Sequence, residues 1–196
     1  KETVLYGKGY ITDILLGLKF KISSKSFYQI NPEQTAKLYS KAIELASLTK
    51  ADTLLDAYCG VGTIGLIASK HVSKVTGVEL VKDAVNDAIM NAKNNNINNV
   101  RFICDDATKF MINCAKSKQT FDVVIMDPPR KGSDKPFLDA LLKLLPEKVV
   151  YISCNPHTQV EDLKELLKKY EIKKIQPVDM FPHTHHVENI VLLTRK

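Results

Sequence analysis

Leu54-Leu55-Asp56-Ala57-Tyr58-Cys59-Gly60-Val61-Gly62-Thr63-Ile64-Gly65-Leu66 decides how this chain folds. A short apolar run closes on an acidic residue, a loop with three glycines follows, and an apolar helical pattern resumes. The stretch reads as strand, turn and helix. Glycine lets the backbone take positive φ and approach a ligand, and a helix start offers unpaired N–H groups and the positive end of its dipole. Gly60-x-Gly62-x-x-Gly65 also matches the dinucleotide fingerprint, and Glu79 stands close to the acidic position expected for a ribose. Two readings stay open on this stretch alone: a cradle for a nucleoside cofactor, or a tight turn that only packs a helix on a strand.

Downstream, strand patterns over 75–79, 100–104, 121–126, 148–153, 175–180 and 187–194 alternate with helical ones. The helices are expected over 82–94, through Phe110 and Met111, over 138–145 and over about 160–170. This alternation predicts an α/β fold with a doubly wound parallel sheet covered on both faces, whose ligands bind off the carboxyl ends of the strands. Those ends carry Asp56, Glu79, Asp106, Asp127 and Cys154 in turn. The recurrence says more than any one of these residues.

Upstream, residues 10–23 alternate apolar and polar around Gly17 and predict a β-hairpin ahead of the main fold. Asn31 then reads as a helix N-cap, Pro32 as the first helical residue and Glu33 as a first-turn acid, with the helix running to about 48. Gln29, just before the cap, is either a cofactor or base contact or a loop residue bonded to backbone. The expected division is a hairpin and linker over 1–25 and one main domain over 26–196.

With 196 residues and 44% hydrophobic content the chain can bury one good core. No apolar run reaches the roughly 18 residues of a membrane span, and the N-terminus lacks a signal-peptide core, so a cytoplasmic protein is expected, without a membrane partner and monomeric. Cys59, Cys104, Cys114 and Cys154 are scattered, with no C-x-x-C pair and no histidine at ligand spacing, which argues against zinc or iron–sulfur and for free thiols. A net charge of +6 suits a polyanion such as RNA, or a solvated basic surface. Lys164, Lys168, Lys169, Lys173 and Lys174 fit the second of these. His183, His185 and His186 invite a metal reading, but a turn between strands points three such side chains at one ion poorly. The chain begins Lys1-Glu2-Thr3 without an initiating Met and reads as a piece of a longer one.

An acid after the second strand suits a ribose diol, and one after the third can accept from an adenine amino group. With Asp56 ahead of the glycines, this pair fits S-adenosylmethionine (SAM), which has no pyrophosphate to place at the helix start. NAD would use the ribose acid too, yet gives no reason for strands to end in Asp127-Pro128-Pro129-Arg130 and Ser153-Cys154-Asn155-Pro156.

These motifs, with Phe27-Tyr28-Gln29-Ile30-Asn31 before them and His186-Val187-Glu188-Asn189 after them, resemble the SAM-dependent RNA uracil-5-methyltransferases, which make 5-methyluridine in ribosomal or transfer RNA. The bacterial 23S ribosomal RNA branch is the most similar. The resemblance spans essentially all 196 residues. It implies a Rossmann-like SAM methyltransferase fold, with a mostly parallel seven-stranded sheet whose last strand is antiparallel. It implies SAM contacts at Gln29, Tyr58, Gly60, Gly62, Thr63, Glu79, Asp106 and Asp127, although the family often has Asn where Thr63 stands. Gln29, Asp127 and Arg130 are implied substrate contacts, Cys154 the nucleophile and Glu188 the residue that removes a proton. Family members commonly carry an N-terminal RNA-binding β-barrel, and some an iron–sulfur cluster.

The chemistry accounts for these residue types. Carbon 5 of uracil is a poor nucleophile until a thiolate adds to carbon 6, and a base must later take the carbon 5 proton so that the thiolate can leave. Cys154, between a strand end and a helix capped by Asn155-Pro156, is expected where the helix dipole favours the thiolate. In isolation it would read as a buried, inert thiol, and Glu188 as a surface carboxylate; the surrounding motifs reverse both. Arg130 and Lys131 either hold RNA phosphates and orient the base loop or are ordinary surface charge. The rival functions are an exocyclic amino-group methyltransferase, a non-catalytic SAM- or RNA-binding module, and an NAD-dependent oxidoreductase.

Overall fold

The structure is a computed structural model that describes residues 3–184 and 186–196. Strands β1 (Tyr10–Leu15) and β2 (Leu18–Ser23) form the expected antiparallel hairpin. Leu16 and Gly17 join them, both at positive φ (49° and 77°), the backbone shape whose twist matches a two-residue hairpin.

The hairpin is held by a helix rather than by a third strand. Asp87 and Asn91 on α3 (Lys82–Asn94), with its C-cap Asn95, accept the N–H groups of Ser23, Lys21 and Lys19 at 2.8, 2.6 and 2.9 Å. Side chains four residues apart share one helix face, and alternate strand residues share one edge, so the two periodicities meet here. Leu15, Leu18, Phe20 and Ile22 lie in the buried cluster that also holds Leu38, Leu54 and Ile64.

The main sheet contains β3 (Thr53–Ala57), β4 (Lys74–Glu79), β5 (Val100–Cys104), β6 (Val123–Met126), β7 (Lys148–Ser153), β8 (Tyr170–Val178) and β9 (Glu188–Arg195), in the order β5-β4-β3-β6-β7-β9-β8. Neighbours from β5 through β7 are parallel, and β9 enters antiparallel between β7 and β8. The seven-stranded, mostly parallel sheet with an antiparallel last strand is the one expected. Residues of α1 (Pro32–Ala46) and α2 (Thr63–Ala68) pack into the buried cluster on one face, and those of α4 (Ala107–Ser117), α5 (Lys135–Leu144) and α6 (Pro156–Leu166) into that on the other. Strand order reverses between β3 and β6, so the crevice of this fold opens at the ends carrying Asp56 and Asp127.

Several boundaries differ from the sequence expectation, among them the start of α5, at Lys135 rather than 138. The strand expected from residue 121 begins at Val123, just after Asp122, whose side chain accepts the Thr53 N–H at 2.7 Å. Helix α6 starts and stops about one turn earlier than 160–170, since Asn155 caps it and Pro156 occupies the first turn. Strand β8 begins at Tyr170 rather than 175, where a register shift between Ile172 and Lys174 breaks the alternation that reveals a strand. Its Pro177 is tolerated because β8 is an edge strand.

Candidate active site

The glycine loop divides by position. Gly60 and Gly62 take φ of 53° and 81°, and Tyr58 between β3 and the loop takes 68°. A Cβ on Gly62 would lie 2.6 Å from the Phe102 ring, and one on Gly65 would lie 2.9 Å from Asp56 Oδ2, so internal packing dictates both. Gly60 opens outward, its nearest such atom being the Phe27 carbonyl oxygen at 4.0 Å. Close approach to a ligand is therefore available at Gly60, while helix-on-strand packing accounts for the other two. The Gly65 N–H donates to buried Asp56 at 2.8 Å, so this amide of α2 is satisfied internally. Burial pushes the Asp56 carboxyl up to about 7, against the Gly65 bond that lowers it.

Glu79, at the end of β4, accepts the Gly60 N–H at 3.0 Å and the Val81 N–H at 2.8 Å, one on each oxygen. A carboxylate has about four acceptor sites, so a ribose diol still finds two. Asp106 caps α4 by accepting the Lys109 N–H at 2.9 Å. The Tyr58 ring packs against Phe137 with centroids 5.4 Å apart, and its hydroxyl lies 3.5 Å from Ser133 Oγ. Thr63 is buried at the start of α2. Gln29 is half-buried in the segment crossing Gly60, which Asn31 secures by donating to the Met180 carbonyl at 2.9 Å. A cleft of about 1060 Å³ beside the hairpin contains Gln29 but none of the other candidates, so it is not the strand-end crevice.

A second group gathers at the ends of β6, β7 and β9. The last pair of the β7–β9 ladder is Ser153 with Asn189, so the next step of the antiparallel register brings Cys154 opposite Glu188. Burial raises Glu188 to about 7. Asp127 is held well above the usual carboxylate range by burial, then by Glu188 and Asp56. Burial, Glu188 and Asp127 together push the Cys154 thiol up, with the Arg130 guanidinium pulling the other way. This corrects the expectation of a dipole-favoured thiolate: Asn155 does cap α6, accepting the His157 N–H at 3.2 Å, but desolvation and two carboxylates outweigh the helix.

The loop bearing Arg130 is docked on the helix that follows Cys154. Asn155 Nδ2 and Thr158 Oγ1 each donate to the Arg130 carbonyl at 3.2 Å, and Asp162 accepts the Ser133 N–H at 2.9 Å and the Tyr151 hydroxyl at 2.6 Å. The Arg130 side chain is exposed.

Three residues at this end escaped the sequence reading. Asp162 is a buried acid on the packed side of α6, and Gln159, beside it on the same helix, is 1% exposed. Tyr39 on α1 is buried, its hydroxyl makes no hydrogen bond among the described residues, and burial with Asp127, Asp56 and Glu188 raises its pKa. The available signal was a polar or hydroxyl-bearing residue at a core position of a helix; Tyr39 was hidden because an aromatic residue there normally reads as packing.

Among the described residues no three His, Cys, Asp or Glu side chains gather to hold a metal ion. His185, part of the histidine cluster, lies outside the described residues. Cys59 and Cys114 are buried and Cys104 is exposed, all as free thiols. Lys164, Lys168 and Lys173 pair with Glu161, Glu165 and Glu171 at 2.6–2.7 Å on exposed surface, as a solvated face would. Among the described residues no helix is long and apolar enough to cross a membrane.

A solved Pyrococcus abyssi tRNA (uracil-54, C5)-methyltransferase, in complex with S-adenosyl-L-homocysteine, superposes with a TM-score of 0.84 at 34% identity, over 96% of this chain and 45% of that one. An Agrobacterium tumefaciens SAM-dependent methyltransferase shares the fold at TM-score 0.75 and 19% identity, over 100% of this chain and 72% of that one. Uncharacterized RNA methyltransferases of Staphylococcus aureus and Halalkalibacterium halodurans are 50% and 47% identical over the whole chain. The chain spans 43% of the length of each of these two relatives. The family model described as tRNA (Uracil-5-)-methyltransferase matches residues 3–196. On that match the chain belongs to the tRNA (uracil-5-)-methyltransferase family.

Proposed function

We propose that this chain transfers a methyl group from SAM to carbon 5 of a uridine in RNA, with Cys154 as nucleophile and Glu188 as the base. One observation carries the reading: the β7–β9 register ends on Ser153 and Asn189, so that its next step sets the Cys154 thiol opposite the desolvated Glu188 carboxylate, which acts on that thiol electrostatically.

The residues fit the cofactor. Gly60 leaves open space, Glu79 keeps acceptor capacity for a ribose diol, and Asp106 and Tyr58 offer an acceptor and a packed ring beside it. SAM, when bound, supplies an electrophilic methyl group. Cys154 gives its proton to solvent and forms a bond from Sγ to carbon 6 of uracil, the ring electrons moving onto the carbon 4 oxygen, which leaves Glu188 unprotonated for the later step. After carbon 5 has gained the methyl group, Glu188 takes the proton there, the ring double bond re-forms and Cys154 is expelled. Gln29, Asp127 and Arg130 hold the base and its backbone in this reading. A base stacked in a helix is out of reach of such a pocket, so the uridine is flipped into it.

We place the target in 23S ribosomal RNA, following the branch whose motifs are most similar. The family description and the Pyrococcus abyssi neighbour favour a second target class, transfer RNA. In this reading residues 26–196 are the catalytic domain and 1–25 a remnant joining it to an RNA-binding β-barrel. Methylation of each purified RNA class with labelled SAM separates the two targets.

The mechanism is tested with RNA containing 5-fluorouridine, which has no carbon 5 proton to release. The unaltered protein is expected to form a denaturation-resistant adduct with it. Cys154→Ser should form none, with methyl transfer to natural RNA reduced by about a thousandfold or more while SAM still binds. Normal methylation by Cys154→Ser would overturn the assignment.

A further inference from the structure

The elements that present the two reacting groups are joined by one side chain. Gln159, on α6 five residues after Cys154, donates through Nε2 to the Tyr151 carbonyl at 3.0 Å and to the Asn189 carbonyl at 3.2 Å. Its Oε1 accepts from Asn189 Nδ2 at 2.7 Å. Gln159 is 1% exposed, and its amide thereby bonds the strand leading to Cys154, the residue following Glu188, and that residue's own side chain. Each of its polar groups is used, and among the described residues no sealed side-chain nitrogen or oxygen lacks a partner.

Glu188 is the first residue of β9: it is in register with Val178 of β8, but on the β7 side the last backbone pair is the one between Ser153 and Asn189. Packing alone would be served by an apolar residue of the same size, because α6 is otherwise held by Leu163 and Leu166. A buried amide that is reciprocally bonded fixes orientation as well as separation, which packing does not.

We infer that Gln159 is a positioning residue that sets Glu188 against Cys154, and that its contribution falls mainly on removal of the carbon 5 proton. This inference rests on the roles of Cys154 and Glu188 given above. Gln159 touches neither reacting group. It acts on Glu188 through Asn189, whereas Cys154 is also held by the Asn155 cap and by Ser153 Oγ, which accepts the Asn155 N–H at 3.1 Å. Loosening the clamp therefore moves the base more than the nucleophile. A misplacement of about 1 Å is enough to slow such a step by about a hundredfold.

The test uses Gln159→Leu in the full-length protein, with separate readouts for the two steps. The rate of adduct formation on 5-fluorouridine RNA reports the nucleophile. Release of tritium from carbon 5 of labelled uridine RNA, and the amount of adduct standing on natural RNA at steady state, report the base. The expected result is adduct formation within about threefold of the unaltered protein, with tritium release about ten- to a hundredfold slower and adduct accumulating. Asn189→Ala, which removes only the side-chain half of the clamp, should do the same to a lesser degree and carries the test if Gln159→Leu does not fold. The double variant should be no slower than Gln159→Leu, since both changes cut one link. Equal slowing of both steps, unchanged kinetics, or additive effects of the two substitutions would each overturn the inference. Failure of the unaltered protein to form any adduct would instead overturn the reading beneath it.

Discussion

At the ends of β4 and β5 the candidate carboxylates are tied to backbone amides, Glu79 to Gly60 and Val81 and Asp106 to Lys109. At the ends of β6 and β9, Asp127 and Glu188 accept no hydrogen bond from the described residues, and burial raises both. Since among the described residues no sealed side-chain oxygen lacks a partner, these oxygens open onto accessible space. The difference separates two tasks. A group that recognises a fixed ligand gains from being held by rigid donors, whereas one that exchanges a proton near neutral pH needs a desolvated carboxyl whose pKa is close to the working pH. Asp56 lies between the two kinds, bonded to Gly65 yet raised to about 7.

The largest expected effect breaks the unbonded side of this comparison. Glu188→Gln should lower turnover by about a hundred- to a thousandfold and leave covalent adduct standing on natural RNA, seen as a shifted protein band. The same substitution should stabilise the fold in a pH-dependent way. Glu188 is raised from 4.5 to about 7, so between those values the folded chain holds a proton the unfolded chain has lost, and stability falls as pH rises through the window. The cost is complete above about 7 and absent below about 4.5. Glu188→Gln is therefore expected to gain about 3 kcal/mol at alkaline pH and nothing in acid, measured by denaturant melts at both. A gain in acid alone would contradict the sign.

Changing the bonded side should affect binding rather than turnover. Glu79→Ala is expected to weaken SAM by about ten- to a hundredfold in calorimetry, with turnover at saturating SAM nearly unchanged, because the interaction is made equally before and during reaction. A loss confined to turnover would place Glu79 with the reacting groups instead.

The smallest effect on activity sharpens the comparison from outside the site. Asp87 is also tied, to the Ser23 N–H and to the Ser23 and Ser26 hydroxyls, and faces Lys21 at 3.2 Å. Burial opposes its charge, but these partners hold its carboxyl below the usual range. Asp87→Ala should cost about 2–4 kcal/mol of stability in denaturant melts and leave SAM affinity within about twofold. If SAM affinity fell with it, the hairpin would be part of the cradle. Being tied by amides is thus shared by a structural carboxylate and by those proposed to bind SAM, and position at the strand ends is what tells them apart.

Much of this was legible in the chain. Alternating strand and helix patterns predicted the sheet, Leu54 to Leu66 its organising turn, and the recurring acids at strand ends the crevice, because periodicity and local turn chemistry are written into neighbouring residues. Gly60, Gly62 and Gly65 looked equivalent in sequence, but Phe102 and Asp56, distant along the chain, give two of them packing duties. The raised Cys154 thiol has the same origin: its helix cap is local, whereas its burial and the carboxylates at β6 and β9 that oppose its ionisation come from the tertiary fold.

The sequence by itself determined which elements form and which residue types could do methyl-transfer chemistry. Only the tertiary structure decided that Cys154 and Glu188 meet. They come opposite each other because β9 inserts antiparallel between β7 and β8, with a register that ends on Ser153 and Asn189, one step short of them. Register depends on long-range backbone pairing and on which side chains are buried between sheet and helix, and neither has a signature in a run of adjacent residues.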